Sequence, residues 1–270
     1  MEFSDNFLFA FGLTLFAGLS TGIGSALAFY AKKTNKTFLA ISLGFSGGVM
    51  IYVSFVEIFQ KARSSLMNEF DELNATLYTT LAFFGGILVI LLIDKFIPEM
   101  GNPHELRHVE DMKEEPTESK RKLYRMGLFT ALAIAIHNFP EGLATFTAAM
   151  TDPAIGLSIA IAIAIHNIPE GIAVSVPVYY STGSKLKAFW LSFLSGLAEP
   201  VGAIVGYLLI MPYMNDVTFG VLFAAVAGIM VFISLDELLP TAREFDTGHM
   251  TIYGLIAGMA VMASSLLLFM

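Results

Sequence analysis

Apolar residues fall into eight long runs separated by short polar stretches, near 7–30, 37–60, 75–97, 126–149, 154–180, 186–211, 217–240 and 250–270. A bilayer-crossing helix takes about 20 predominantly apolar residues, and every run meets that length. Glycine and proline inside the runs do not argue against helix, because neighbouring spans re-satisfy the backbone in lipid. The pattern predicts an all-α membrane protein of eight transmembrane helices, forming a single transmembrane domain over residues 1–270.

The pattern also repeats. "AIAIHNFPEG" at 133–142 and "AIAIHNIPEG" at 162–171 agree at nine of ten positions, on spans four and five. "GVMIYVSFVEI" at 48–58 returns as "GIMVFISLDEL" at 228–238, matching Ser54 with Ser234 and Glu57 with Glu237. "GLSTGIGSALAF" at 18–29 resembles "GLAEPVGAIVGY" at 196–207. Spans one and two therefore echo spans six and seven, while the third span of each half shows no comparable match. Paired spans running in opposite directions imply an inverted repeat about an axis in the membrane plane, with a binding site at the midplane.

Charge sets the orientation. Twelve Lys and Arg residues fall in one set of loops and only Lys61 and Arg63 in the other, with Lys95 at the end of span three on the side of the twelve. The positive-inside rule places the twelve in the cytoplasm, so both termini are expected to be extracytoplasmic. The N-terminus "MEFSDN" has no positive n-region, so the first run is expected to be a retained span. The longest loop, 98–125, is charged and turn-rich and is expected to be a mobile cytoplasmic segment. Its His104 and His108 are four apart among acids. They form either a metal-sampling or regulatory tract or an ordinary solvated loop, and residue types favour the latter.

Composition sharpens this picture in three ways. The chain is 56% hydrophobic and 14% charged, where a soluble domain is nearer a quarter charged. No basic face gathers, so no nucleic-acid partner is expected. There are no cysteines, which removes thiolate sites and disulfides. The net charge of -8 lies mainly in the apolar runs, where Glu57, Glu141, Glu170, Glu199, Asp236 and Glu237 all fall.

Such acids are costly. A carboxylate at the bilayer centre costs roughly 2.5–3.5 kcal/mol on the mild insertion scale, so three cost about 8–10 kcal/mol before mutual repulsion. His137, His166 and Glu199 lie near the centres of their runs, at similar depth. On each motif helix His and Glu are four apart and Asn and Glu three apart, which puts both pairs on one face. Facing each other, spans four and five present His137, Asn138, Glu141, His166, Asn167 and Glu170 to one volume, and Glu199 closes it from span six. No Lys or Arg lies at mid-depth, so either some of the acids are protonated or a cation supplies the countercharge. Two imidazoles, two amide oxygens and three carboxylates suit a divalent first-row metal such as Zn, Fe(II), Mn or Co. Pro140, Pro169 and Pro200 lack an N–H and offer the carbonyls of Ile136, Ile165 and Gly196 as further acceptors. Kinks at these prolines are expected to open room for an ion or water.

Glu57 falls near the outer end of span two, and Asp236 and Glu237 near the inner end of span seven. They read as the entrance and exit of a path lined by Ser46, Ser54 and Ser234, or as interfacial acids reaching for water. The 14 methionines are scattered and read as packing residues.

At these residues the chain resembles the ZIP (Zrt/Irt-like) family of divalent metal transporters, in its bacterial ZupT/GufA-like branch. "HNFPEG", "HNIPEG", "SFVEIF" at 54–59 and "LAEPVGA" at 197–203 carry the resemblance, which extends over the whole chain. It implies a binuclear metal site. His137, Glu141, His166 and Glu170 would hold one ion, with the two glutamates shared, and Asn138, Asn167 and Glu199 would complete the second position. Asp236 and Glu237 would be an exit-side pair. The resemblance implies import of divalent metal into the cytoplasm, chiefly zinc, with iron, manganese, cobalt or cadmium as further cargo. It also implies a homodimer in a bacterial inner membrane, with metal as transported substrate rather than cofactor, and no enzyme activity. The competing readings are a metal exporter, a non-transporting sensor, or an intramembrane metalloprotease. The last would carry H-E-x-x-H on one helix, whereas each helix here carries one histidine of the pair.

Overall fold

The computed structural model describes residues 5–30, 36–96, 116–246 and 248–268. Its elements are α1 (Asp5–Tyr30), α2 (Lys36–Val53), α3 (Phe59–Leu66), α4 (Glu72–Phe96), α5 (Pro116–Thr151) and α6 (Pro153–Thr182). They continue with α7 (Lys185–Gly196), α8 (Ala198–Val205), α9 (Asp216–Ile233), α10 (Leu239–Glu244) and α11 (Met250–Leu268). No strand occurs among the described residues. Seven segments among those residues are long and apolar enough to cross a membrane. The remaining run, 126–149, lies within α5, whose 36 residues extend about 54 Å. Because α5 begins at Pro116, the last ten residues assigned to the long loop are helical. His104 and His108 lie outside the described residues.

Local chemistry sets the boundaries. A single residue, Asp152, separates α5 from α6. Its side chain accepts from the Ala154 and Ile155 N–H groups, and Pro153 takes the first helical position, where no N–H is needed. Gly183, at φ 67°, ends α6 in the left-handed conformation that favours glycine. Ser184 then caps α7 and Asn215 caps α9. Asp71 caps α4 by accepting from Leu73 and Asn74, and the Asn74 bonds hold its carboxyl below the usual range.

Spans two and seven run further than their apolar runs, to Leu66 and Glu244, and each is interrupted by one π turn. The interruptions are Ser54–Ile58 and Ser234–Leu238, the same five positions of the repeat. In each, the following N–H, of Phe59 or Leu239, reaches back five residues to the serine carbonyl. Helices carry such π turns mostly as single widened turns, frequently where function is. Pro140 and Pro169 sit inside helices that run on through them. Span six does break, at Leu197, just before Glu199 and Pro200.

Packing follows a pseudo-two-fold. Span one packs on span five as span six packs on span four. Span two packs on span eight as span seven packs on span three, although spans three and eight share no sequence match. Gly18 and Gly196 mark the axis. A Cβ on either would strike the carbonyl oxygen of the other, so spans one and six approach as closely as their backbones allow. The largest apolar cluster gathers Met50, Val53, Phe83, Ile159, Ile163, Phe223 and Met230 from spans two, three, five and seven, and the polar cluster lies beside it.

Candidate metal centre

The α5–α6 hairpin delivers the two decapeptides antiparallel and side by side. Gly142 and Gly171, which end them, seat these helices against spans six and one. A Cβ on Gly142 would collide with the Glu199 backbone, and one on Gly171 with the Thr21 carbonyl. Any larger residue pushes the helices apart, which explains why each motif ends in glycine.

The structure brings all seven predicted central residues together. His137, Asn138, Glu141, His166, Asn167, Glu170 and Glu199 are all buried, none more than 1% exposed. Histidines and glutamates pair crosswise between helices rather than along one helix. His137 Nε2 lies 3.1 Å from Glu170 Oε1, and His166 Nε2 lies 3.3 Å from Glu141 Oε2. The pair within α6, His166 and Glu170, is looser at 4.0 Å. The helix periodicity put all four on facing surfaces, and antiparallel packing then set each histidine opposite the other helix's glutamate.

The asparagines grip the backbones of the flanking spans. Asn138 Nδ2 donates to the Ser195 carbonyl at 3.3 Å, and Asn167 Nδ2 donates to the Ala17 carbonyl at 2.9 Å. Ser195 and Ala17 are equivalent under the repeat. Asn167 Nδ2 also donates to Glu199 Oε1. Span two contributes Ser46, whose hydroxyl lies 3.5 Å from the His166 carbonyl.

Many donor atoms remain unspent. Asn138 Oδ1, Asn167 Oδ1, Glu141 Oε1, both Glu170 oxygens and Glu199 Oε2 are buried without a hydrogen-bond partner, as are Nδ1 of His137 and His166. Buried polar groups are ordinarily satisfied, and each exception asks for a ligand, ion or water. As they stand, the His, Asp and Glu groups among the described residues form no ready-made cage of three or more.

The flanking acids occupy the π turns of spans two and seven. Glu57 is half-buried, with the Lys61 and Asp152 charges both acting on it. Glu237 is buried and its charge acts on His137, while Asp236 is half-buried. Ser54 is fully buried with an unpartnered hydroxyl, and Ser234 bonds its own helix at Met230. Sequence reasoning missed Asp152, since a helix-capping aspartate at a turn gives no sign of its proximity to Glu57. It also missed the Ala17 and Ser195 carbonyls, which only tertiary packing exposes to the asparagines.

An all-helical bundle of membrane-crossing length, arranged as an inverted repeat around a buried His, Asn and Glu cluster, has the build of a polytopic carrier. The model of a family described as ZIP Zinc transporter matches residues 97–265. The chain is 63% identical over 264 residues to Zinc transporter ZupT of Lysinibacillus sphaericus, covering 97% of this chain and 98% of the relative. It is 64% identical over 266 residues to Zinc transporter ZupT of Oceanobacillus iheyensis, covering 98% and 99%. The protein of that name from Streptococcus mutans is 61% identical over 266 residues, covering 98% and 99%. The chain belongs to the ZIP family. It is a transporter rather than an enzyme, which removes the intramembrane protease reading, and a multi-pass integral protein of a bacterial plasma membrane.

Proposed function

We propose that the chain carries divalent metal ions, chiefly zinc, across the membrane into the cytoplasm through the cluster on spans four, five and six. The observation that carries this reading is the set of unpartnered oxygen and nitrogen donors on His137, Asn138, Glu141, His166, Asn167, Glu170 and Glu199, all buried. Imidazole, amide oxygen and carboxylate together match zinc and its first-row neighbours, so iron, manganese, cobalt and cadmium are further candidate cargo. A divalent ion offsets carboxylates that the bilayer otherwise penalises.

Each donor pair opens by side-chain rotation as the ion arrives, so the crosswise contacts hold the empty site together and yield to metal. His137, Glu141, His166 and Glu170 form one position, and Asn138, Asn167 and Glu199 complete a second beside it, with the glutamates shared. A site of imidazoles, amides and carboxylates without thiolate is tight enough to take an ion from water and loose enough to release it. Glu57, with Asp152 and Lys61 beside it, is the outer mouth. Glu237 and Asp236 are the inner mouth, and the Glu237 charge at His137 links it to the centre. The distribution of Lys and Arg supports an orientation with both termini outside. The physiological unit is a homodimer by family resemblance.

The test is zinc uptake by the purified protein in liposomes. Replacing both His166 and Glu170 with Ala abolishes uptake while the protein still inserts and runs as the same species in detergent. Full uptake by that variant overturns the site. Expression in cells decides direction: metal accumulation supports import, and depletion makes the chain an exporter.

A further inference from the structure

The pseudo-two-fold makes one residue conspicuous. Under the repeat, Thr21 of span one takes the place of Glu199 of span six. Four independent contacts fix that equivalence. Gly142 abuts Glu199 and Gly171 abuts Thr21. Asn138 donates to Ser195 and Asn167 to Ala17. A Cβ on Gly202 would strike the Phe139 carbonyl and one on Gly24 the Ile168 carbonyl. Gly18 and Gly196 face each other across the axis. On one flank, Glu199 meets the Asn167 amide. On the other, the Thr21 hydroxyl lies against Gly196, where a Cβ would sit 2.7 Å from it. Gly196 follows Ser195, the residue whose carbonyl holds Asn138.

Thr21 is fully buried and its hydroxyl has no hydrogen-bond partner. The same holds for the side-chain oxygen of Asn138, also fully buried. A threonine hydroxyl on a helix commonly spends itself on its own backbone four residues back, as Thr14 does with Ala10 here. Thr21 does not, and it shares that state with Thr145 and Thr251; of the three, Thr21 is the one whose repeat mate is Glu199.

We propose that Thr21 and Asn138 form a neutral oxygen subsite, the two-fold mate of the Glu199–Asn167 pair, and that the Thr21 hydroxyl binds the metal ion or a water it carries. This rests on the reading of the central cluster as the transport site. The chemistry explains the asymmetry. A second glutamate at position 21 would put four carboxylates around the histidines, an ion trap rather than a passage. A hydroxyl and an amide oxygen give a hard, uncharged step where a divalent ion keeps part of its water. One flank therefore binds by charge and the other by dipole, so the ion meets a graded rather than a symmetric site.

The experiment compares Thr21→Val, which keeps the shape and removes the hydroxyl, with Thr21→Ser, which keeps the hydroxyl and removes the methyl. Zinc uptake into liposomes is measured against zinc concentration at matched amounts of inserted protein. Val raises the half-saturating zinc concentration about tenfold, equivalent to about 1.4 kcal/mol of binding, and changes maximal rate much less. Ser recovers most of that affinity. Unaltered uptake by the Val variant overturns the proposal, and equal losses in Val and Ser overturn it by reducing Thr21 to a packing residue. The paired His166 and Glu170 variant, run alongside, separates the two claims. If it is inactive while Thr21→Val behaves as wild type, only the neutral subsite fails. If it transports normally, the central site fails and this subsite with it.

Discussion

Residues 133–142 and 162–171 share nine of ten residues and lie side by side on antiparallel helices, yet they end in different company. His166 approaches the glutamates of both helices, at 3.3 and 4.0 Å, while His137 approaches Glu170 at 3.1 Å. Asn167 holds both a backbone carbonyl and the Glu199 carboxyl, whereas the Asn138 amide donates to the Ser195 carbonyl. The motifs are equal as sequence and unequal as chemistry, because spans one and six face them with Thr21 and Glu199. Identical side chains thus meet distinct neighbours, and a two-fold scaffold yields an asymmetric cluster.

The comparison breaks most completely at its hinges of contact. Gly142→Val and Gly171→Val each drive a side chain into backbone of a flanking span. We expect each to cost about 3 kcal/mol or more, since overpacking against backbone has no flexible neighbour to yield. Loss of the monodisperse folded species in detergent reports it, and normal folding of either variant refutes the close approach.

The asparagines sharpen the comparison next. Asn167→Ala removes the donor to a buried carboxyl as well as a backbone bond, two hydrogen bonds each worth about 1 kcal/mol. Asn138→Ala removes a bond of 3.3 Å to a neutral carbonyl, worth about 1 kcal/mol. Thermal unfolding therefore ranks Asn167→Ala below Asn138→Ala, and the reverse order contradicts the assigned partners.

Acid pH acts on both motifs together. Protons compete with metal for imidazole and carboxylate, so uptake falls as pH is lowered and excess zinc restores it. Uptake that rises on acidification, without a proton gradient, counts against direct ligation. The smallest effect is expected far from the centre, at Asp71. Hydrogen bonds from the Asn74 backbone and side chain lower its folded pKa, so its contribution is present above the ordinary carboxylate range and fades as pH falls through the lowered value. Asp71→Ala should lower the melting temperature slightly near neutral pH, lose that difference in strong acid, and leave uptake affinity alone.

Much of this molecule was legible before any coordinates. Each of the eight apolar runs falls on helix, and seven are long and apolar enough among the described residues to cross a membrane, because lipid obliges a chain to satisfy its backbone within each crossing helix. The doubled H-N-x-P-E-G motif located the centre, since polar groups that cost so much are not placed at one depth twice without use. What escaped was anything set by the meeting of distant segments. The π turns at 54–58 and 234–238 lie in runs whose composition matches ordinary helix, and only the shared offset of the repeat hinted that they correspond. Spans three and eight hold equivalent places without resembling one another, because lipid-facing helices need only be apolar.

Sequence by itself determined the all-helical membrane class and which polar residues gather in the buried cluster, both consequences of one-dimensional hydropathy and helical period. Tertiary structure alone decided which histidine meets which glutamate, which backbone carbonyls the asparagines hold, and that Thr21 stands opposite Glu199. Those depend on the antiparallel register of α5 and α6 and on how closely glycines let spans one and six approach. A linear pattern fixes a residue's face and depth, and only packing assigns its partner.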